Sequence, residues 1–383
     1  MELVDRLLVA TSDDRRDAGL VFQARFQPVG GPGGRVMPPT YPGQRRSMYL
    51  VESRRDAEGH ERRSVVLDQV PSQANRVERA LLQAHRAGRV ALPMFELSVP
   101  TEIGAVRLTS LDFPHRFADA YLRDSEINGK RFHDTPTGQA LRSASSEDVR
   151  PLFEREPYSL VFGAWDSHRA GYKPRFARVY VSEMYGLDPV EGSRMGGRMD
   201  PLNLQGSVSA RRPDGGWTYA LPGEKVKGSR LSELGHGHIL AQETLGGVTV
   251  KEVHRRGWVS FAGLERLQFG DASPEAGWIA RACLAALALA GDRLAFGRPS
   301  LELRSGCDLT RVSETVAFER DGGELEPIDV SAASALAAFD ELRQRAAKAG
   351  LAMDADVVSV SPSPQLAAAI RYSLTQAAPD SEE

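Results

Sequence analysis

Between Val65 and Leu82 the chain reads VVLDQVPSQANRVERALL, a β-branched run, two polar residues, a valine and proline, then an amphipathic repeat. The pattern predicts a strand, a turn and a helix, with Ser72 placed to accept from the free amides of the first turn. At 100° per residue Ala74, Val77, Leu81 and Ala84 share the core side of that helix. Ser72, Asn75, Arg76, Arg79 and Gln83 share the other. Upstream, Glu2–Ala10 is apolar-periodic and helical, Gly19–Val29 alternates as a strand, and Met48–Glu52 and Arg62–Leu67 are strands around a polar turn. Gly30–Gln44 is a Gly- and Pro-rich loop.

Met94–Val99 and Ala105–Leu108 follow as strands. Short helices are expected at His115–Arg123, Pro136–Ala144 and Glu147–Arg155, then strands at Tyr158–Trp165 and Phe176–Met184. Met195–Glu243 is loop-rich, Gly247–Phe269 strongly β, and Pro274–Ala290 a helix buried on most sides. Leu301–Leu303 and Thr315–Glu319 are short strands, Ser331–Ala349 and Gln365–Gln376 helices, and the PDSEE end a disordered tail. No internal repeat is present. The economical arrangement is an α+β fold, a split ferredoxin-like or RRM-like palm built from 19–110 and 245–310. Residues 111–244 are a large insertion, and 311–383 a strand and helix extension with the acidic tail.

A chain of 383 residues is long for one core, and its 41% hydrophobic and 26% charged composition is that of a globular protein. No run of 18 apolar residues and no secretion signal is present, so no membrane partner is expected. Cys283 and Cys307 lack neighbours at metal spacing and suit a reducing, cytoplasmic setting. The net charge of −3 argues at first against nucleic acid. However, residues 321–383 carry 11 Asp or Glu against 4 Lys or Arg, which leaves residues 1–320 at +4. Arginine makes up 42 of the 48 basic residues, through GC-rich coding or through a need for forked phosphate contacts.

Candidate chemistry is cationic and amide-bearing. The face with Ser72, Gln73, Asn75, Arg76 and Arg79 adjoins a helix N-terminus, where free N–H groups favour a phosphate; an ordinary solvated face is the alternative. Basic and aromatic residues interleave in three places: Trp165, His168, Lys173 and Arg175; Lys225, Lys227 and Arg230; and Lys251, His254, Arg255 and Arg256 with Trp258. Such mixtures hold single strands, cations on phosphates and rings on bases, and are also common in exposed loops. Arg45 and Arg46 end the first Gly-rich loop and offer further phosphate contacts. Neither GGPGGR (30–35) nor GSRMGGR (192–198) fits a nucleotide-binding fingerprint. His236 and His238 have only His254 as a further ligand candidate, so no metal site and no cofactor are expected; they read as a Gly-His turn touching ligand or neighbour, or as general acids. Paired carboxylates and Ser/His/Asp spacings are absent.

Five stretches together resemble a known family: LDQVPSQANRVE (67–78), SLVFGAWDSHR (159–169), PRFARVYVSEMYGLD (174–188), SELGHGHI (232–239) and GGVTVKEVHRRGWVSFAGLERLQF (246–269). They resemble the RAMP-superfamily backbone subunit of type I-G (formerly I-U) CRISPR Cascade complexes, over roughly Gly19 to Leu309, with a departure at Val70, where a small or acidic residue is expected. The resemblance implies an RRM-like palm with finger and thumb insertions. It also implies binding of crRNA by copies arrayed head to tail, and pairing of the guide with target DNA. Other Cascade subunits and a recruited helicase-nuclease are the implied partners, and type I relatives leave cleavage to that nuclease, so no catalysis is expected. An endoribonuclease using His236 or His238, and a scaffold that binds no nucleic acid, are the alternatives.

Overall fold

The computed structural model describes residues 2–43, 47–56, 58–101, 104–169, 171, 173–202, 208–211, 217–220 and 235–375. Its main sheet has eight strands in chain order: β1 (Asp17–Pro28), β2 (Val51–Arg55), β3 (Glu61–Asp68), β4 (Tyr180–Leu187), β5 (Glu252–Ser260), β6 (Ser300–Arg304), β7 (Cys307–Arg320) and β8 (Leu325–Pro327). In space they run β6-β7-β1-β5-β4-β3-β2, with β8 on β7, and every pairing is antiparallel. The helices α2 (Val70–Arg86) and α3 (Pro274–Phe296) pack on it, and α1 (Leu3–Ala10) and α4 (Ala332–Lys348) pack against α3 in turn.

Taking β1, α2, β4, β5, α3 and β7 alone, the spatial order β7-β1-β5-β4 is the split β-α-β of a ferredoxin-like fold. The expected α+β, RRM-like palm with insertions is therefore the fold observed. The β2–β3 hairpin is inserted before α2 and extends the sheet beyond β4. The strand β4 lies inside 111–244, the range read as insertion, yet it sits between β3 and β5. Similarly, β7 crosses position 310, and Val357–Pro362 runs parallel to Met94–Thr101 in a second, five-stranded sheet.

Four local expectations are corrected. Tyr158–Phe162 is helical, not a strand, because all five side chains are buried and a run apolar on every side carries no period. The α2 helix begins one turn earlier than a Ser72 cap implies. Its N-cap is Gln69, and Pro71 occupies the first turn, where its missing N–H costs nothing. The region read as loop, Met195–Glu243, holds part of a long arm in which Val190–Arg198 pairs with Ile239–Thr249. The strongly β stretch ends at Ser260, whose hydroxyl caps a short helix, Phe261–Glu265. The PDSEE tail lies outside the described residues.

One face of the sheet is covered by α2 and α3. Under these helices it presents Leu20 and Phe22 from β1 and Val259 from β5, while further along the same strands Ala24, Phe26 and Val253 enter a second core with Val36, Tyr49 and Val65. The two helices cross closely at Gly291, where a Cβ would lie 2.5 Å from Val77 Cγ1. Alternation along β5 also sends Arg255 inward, and it is fully buried, so it is not an RNA contact as expected. Its guanidinium bonds Asp292 of α3, donates to Tyr180 Oη at 2.9 Å and sits 3.7 Å from the Phe296 ring centre. Burial alone would raise the Asp292 carboxyl, but Arg255 and Arg293 hold it below the usual range.

A second buried group lies at the start of the Tyr158–Phe162 helix. Glu156 is fully buried; Oε2 accepts from the Ser159 amide at 3.0 Å and from its hydroxyl, and Oε1 has no partner among the described residues. Burial pushes this carboxyl up to about 8, against which the Ser159 bonds and Arg116 act only in part.

Removing one partner of a buried ion pair costs about 3–5 kcal/mol, whereas an exposed substitution stays within about 0.5 kcal/mol. Arg255→Ala is therefore expected to lower the urea midpoint sharply while the adjacent Arg256→Ala leaves it nearly unchanged; equal midpoints would refute the buried role. Glu156 binds its proton more tightly when folded, so its contribution is fully present below the unfolded carboxyl pKa and is lost as pH rises to about 8. Thermal melts from pH 5 to 8.5 should show Glu156→Gln losing less stability across that window than the unaltered chain.

Candidate nucleic-acid interface

Downstream of the Tyr158–Phe162 helix the backbone turns at Gly163, with φ +84°, and Ala164–Trp165 pairs with Arg175–Phe176. This ribbon forms one wall of a groove of about 780 Å³. Arg116 and His115 line another side, and Arg178, Arg266 and Phe162 complete it, with no Asp or Glu among the lining residues. Trp165 is 54% exposed, and the Arg175 guanidinium lies 5.7 Å from its ring centre. A second cavity of about 420 Å³ shares Pro114, Arg116, Phe162 and Arg178 with the first and adds Asn75 and Arg79 from α2, together with one carboxylate, Asp112, which accepts from the Thr109 amide and hydroxyl. The two make one cationic track. Among the described residues Arg79, Arg175, Arg178 and Arg266 have no ion-pair partner.

Arg116 is the fixed post between the two cavities. Its Nε and NH2 fork onto Glu78 Oε1 and Oε2 at 2.6 and 2.9 Å, and NH1 donates to the Gly163 carbonyl at 2.8 Å. Glu78 is buried, and burial raises its carboxyl against the pull of Arg116. The fork holds Arg116 at φ +51°, a region non-glycine residues seldom occupy. Its charge is partly spent inside the protein; the unpaired arginines carry the field of the groove.

The α2 start differs from expectation. Asp68, 1% exposed, accepts from the Ser72 hydroxyl at 2.6 Å, from the Gln73 amide, and from Arg76 Nε at 2.8 Å. Arg76 also donates to the Leu303 carbonyl at 2.7 Å, tying α2 to β6. The protein's own carboxylate thus takes the place read as a phosphate seat, and Gln73 is fully buried. Ser72, Gln73 and Arg76 are structural contacts here; Asn75 and Arg79 remain exposed beside the groove.

A second surface is the outer face of the sheet. Cross-strand register forms rows Val21–Trp258–Val181, Gln23–Arg256–Glu183 and Arg25–His254–Tyr185. Trp258 is 43% exposed, and Arg256 and Lys251 are exposed with no ion pair among the described residues. His254 stacks on Tyr185 at 5.7 Å and 10°, and its Nε2 lies 2.8 Å from Glu252. Arg54 covers Tyr185 at 4.0 Å while forking onto Glu183. This face is charge-balanced, unlike the groove.

The structure therefore brings Trp165 and Arg175 together with Arg79 and Asn75, and places Lys251, His254 and Arg256 elsewhere. Lys173 is exposed beside the ribbon, and His168 lines a separate small cavity. His236 is exposed and His238 Nδ1 accepts the Asp200 amide at 2.6 Å, beyond the Arg198–Ile239 end of the arm, away from the main sheet. Arg45, Arg46, Lys225, Lys227 and Arg230 lie outside the described residues. The reading of the sequence missed His115, Arg116, Arg178 and Arg266. Arg178, three positions after Arg175 in PRFAR, carried a visible signal; the others reach the groove only through tertiary packing. Among the described residues Asp56, Glu58 and His60, in the turn between β2 and β3, are a grouping able to approach one cation, and two of the three are exposed. Among the described residues no helix is long and apolar enough to cross a membrane.

No curated protein matches this chain. A family model described as CRISPR-associated protein GSU0053 matches residues 20–190, a stretch that spans β1 to the foot of the arm and holds most of the groove. Over those residues the chain is similar to CRISPR-associated proteins.

Proposed function

We propose that the protein is a crRNA-binding backbone subunit of a type I CRISPR Cascade, of the I-G kind. The observation that carries this reading is the groove in which Trp165 stands beside Arg175, Arg178 and Arg266 with no carboxylate in its lining; it adjoins a second cavity that holds Arg79 and one carboxylate, Asp112. Unpaired guanidinium groups suit the phosphates of a single strand, and an exposed indole stacks on any base, so the grip is indifferent to sequence. The guide supplies specificity through pairing with target DNA. The arm Val190–Arg198 and Ile239–Thr249, with exposed Val190, Met195, Ile239 and Leu240, is the protruding element that meets the next copy or the base stack. Copies assemble head to tail in the cytoplasm, with length set by the RNA. The subunit itself performs no cleavage, other Cascade subunits close the assembly, and a helicase-nuclease acts after target binding.

Filter binding of guide-length single-stranded RNA across a salt series tests the groove. Replacing Arg175, Arg178 and Arg266 together by Ala should weaken binding and reduce the salt slope by about 2, at roughly 0.7 per phosphate contact. Trp165→Ala should cost about 1–3 kcal/mol with the slope retained. Unchanged affinity and slope in the triple variant, with an unaltered melting temperature, would refute the groove.

A further inference from the structure

Along Trp165–Arg169 the side chains alternate between two spaces. Trp165 and Ser167 face the groove, whereas Asp166 and His168, with Arg169, line a separate cavity of about 140 Å³. Arg123, His133 and Arg142 enter it from three other segments. Three arginines and two histidines thus line one small volume with a single carboxylate, Asp166, among the lining residues. Arg123 is already forked onto Asp124 at 3.0 and 2.8 Å, and Arg169 docks its loop by bonding the Arg142 carbonyl. The half-buried Arg142 guanidinium has no hydrogen-bond or ion-pair partner among the described residues. The space is well below the ~300 Å³ of a drug-sized site. Its size and sign suit one tetrahedral oxyanion, and its apolar floor at Phe132 and Leu141 leaves the bonding to the cationic rim.

We propose that this cavity binds a phosphate group, either free inorganic phosphate or the terminal phosphate of a nucleic acid. Arg142 supplies the principal charge, with Arg123, Arg169, His133 and His168 around it. The proposal does not depend on RNA occupying the groove. Burial, and then the charge of Arg142, hold the His133 imidazole below its ordinary range; Arg123 acts in the same direction, while Asp166 and Asp124 oppose it. A dianion seated beside this ring favours its protonated form and moves its titration upward.

The test is titration of the full-length protein with inorganic phosphate at fixed ionic strength, followed by calorimetry and by the His133 ring resonances. Saturable one-site binding is expected, with an upward shift of the His133 titration. Arg142→Gln should weaken it at least tenfold, and His168→Ala, an exposed substitution, severalfold with the melting temperature unchanged. Two RNAs of one sequence, with and without a 5′-phosphate, separate the sources. Inorganic phosphate that competes only with the phosphorylated strand identifies a terminal-phosphate site; equal strand affinities beside intact phosphate binding identify a free-anion site. Absence of saturable binding, or equal binding by folded Arg142→Gln and His168→Ala proteins, overturns the proposal. That outcome leaves the groove reading standing if the groove variants still weaken RNA binding.

Discussion

The buried pairing of Arg255 with Asp292 sets the orientation of the palm. It joins the central strand β5 to α3, and the same guanidinium also donates to Tyr180 Oη of β4 and to Gln73 Oε1 of α2. Ser182 of β4 also donates to Gln73 Oε1 at 2.8 Å, so both helices and both inner strands meet at one polar knot. A buried ion pair stabilises little net, because desolvation offsets most of the attraction. What it does is penalise other registers. A one-residue slip of β5 would turn Val253 and Val259 outward, and a two-residue slip, which keeps the faces of the strand, would set Val253 or Gly257 against Asp292 and leave that buried carboxylate without Arg255. The same alternation that hides Arg255 puts His254, Arg256 and Trp258 on the outer face.

A similar use of an internal counter-charge explains why the α2 start is not where the free cations lie. A helix N-terminus attracts an anion, and here Asp68, at the end of β3, is that anion. It is buried and takes donors from Ser72, Gln73 and Arg76, with Arg304 3.5 Å away. An incoming phosphate would have to displace a carboxylate tethered by the chain itself. The available charge lies one turn further along, at Arg79, and across the cavity at Arg178. Arg116, held by Glu78, keeps the walls of the two cavities at fixed separation.

Much of the palm was legible because its signals are local. The alternation of β1 and β5 and the apolar faces of α2 and α3 are written in consecutive residues. The membership of β4 was not, since YVSEMYGL shows a strand but not its neighbours, and 111 residues separate Asp68 from Tyr180. Arg255 and Arg256 stand side by side in the sequence with nothing to tell them apart. Their difference depends on Asp292, in another element, and on which parity of β5 faces the helices. The Tyr158–Phe162 helix defeated periodicity because no side of it meets water. Among groove residues, Trp165 and Arg175 stood out by local aromatic and basic spacing, whereas Arg266 is an ordinary arginine in LERLQF until packing brings it opposite Trp165.

Net charge was the least informative number, and the structure explains why. Many of the arginines are paired internally: Arg6 with Asp17, Arg54 with Glu183, Arg293 with Glu314. The acidic C-terminal stretch is partly neutralised in place, with Asp340 against Arg343 and Glu341 against Arg345 on α4. A Debye length of about 8 Å at physiological salt limits the reach of the exposed charges that remain. The potential felt by a phosphate in the groove is therefore set by the few guanidinium groups lining it and by the absence of carboxylates there. A chain at −3 overall can present a locally positive track, provided its acids are spent on holding other arginines in place.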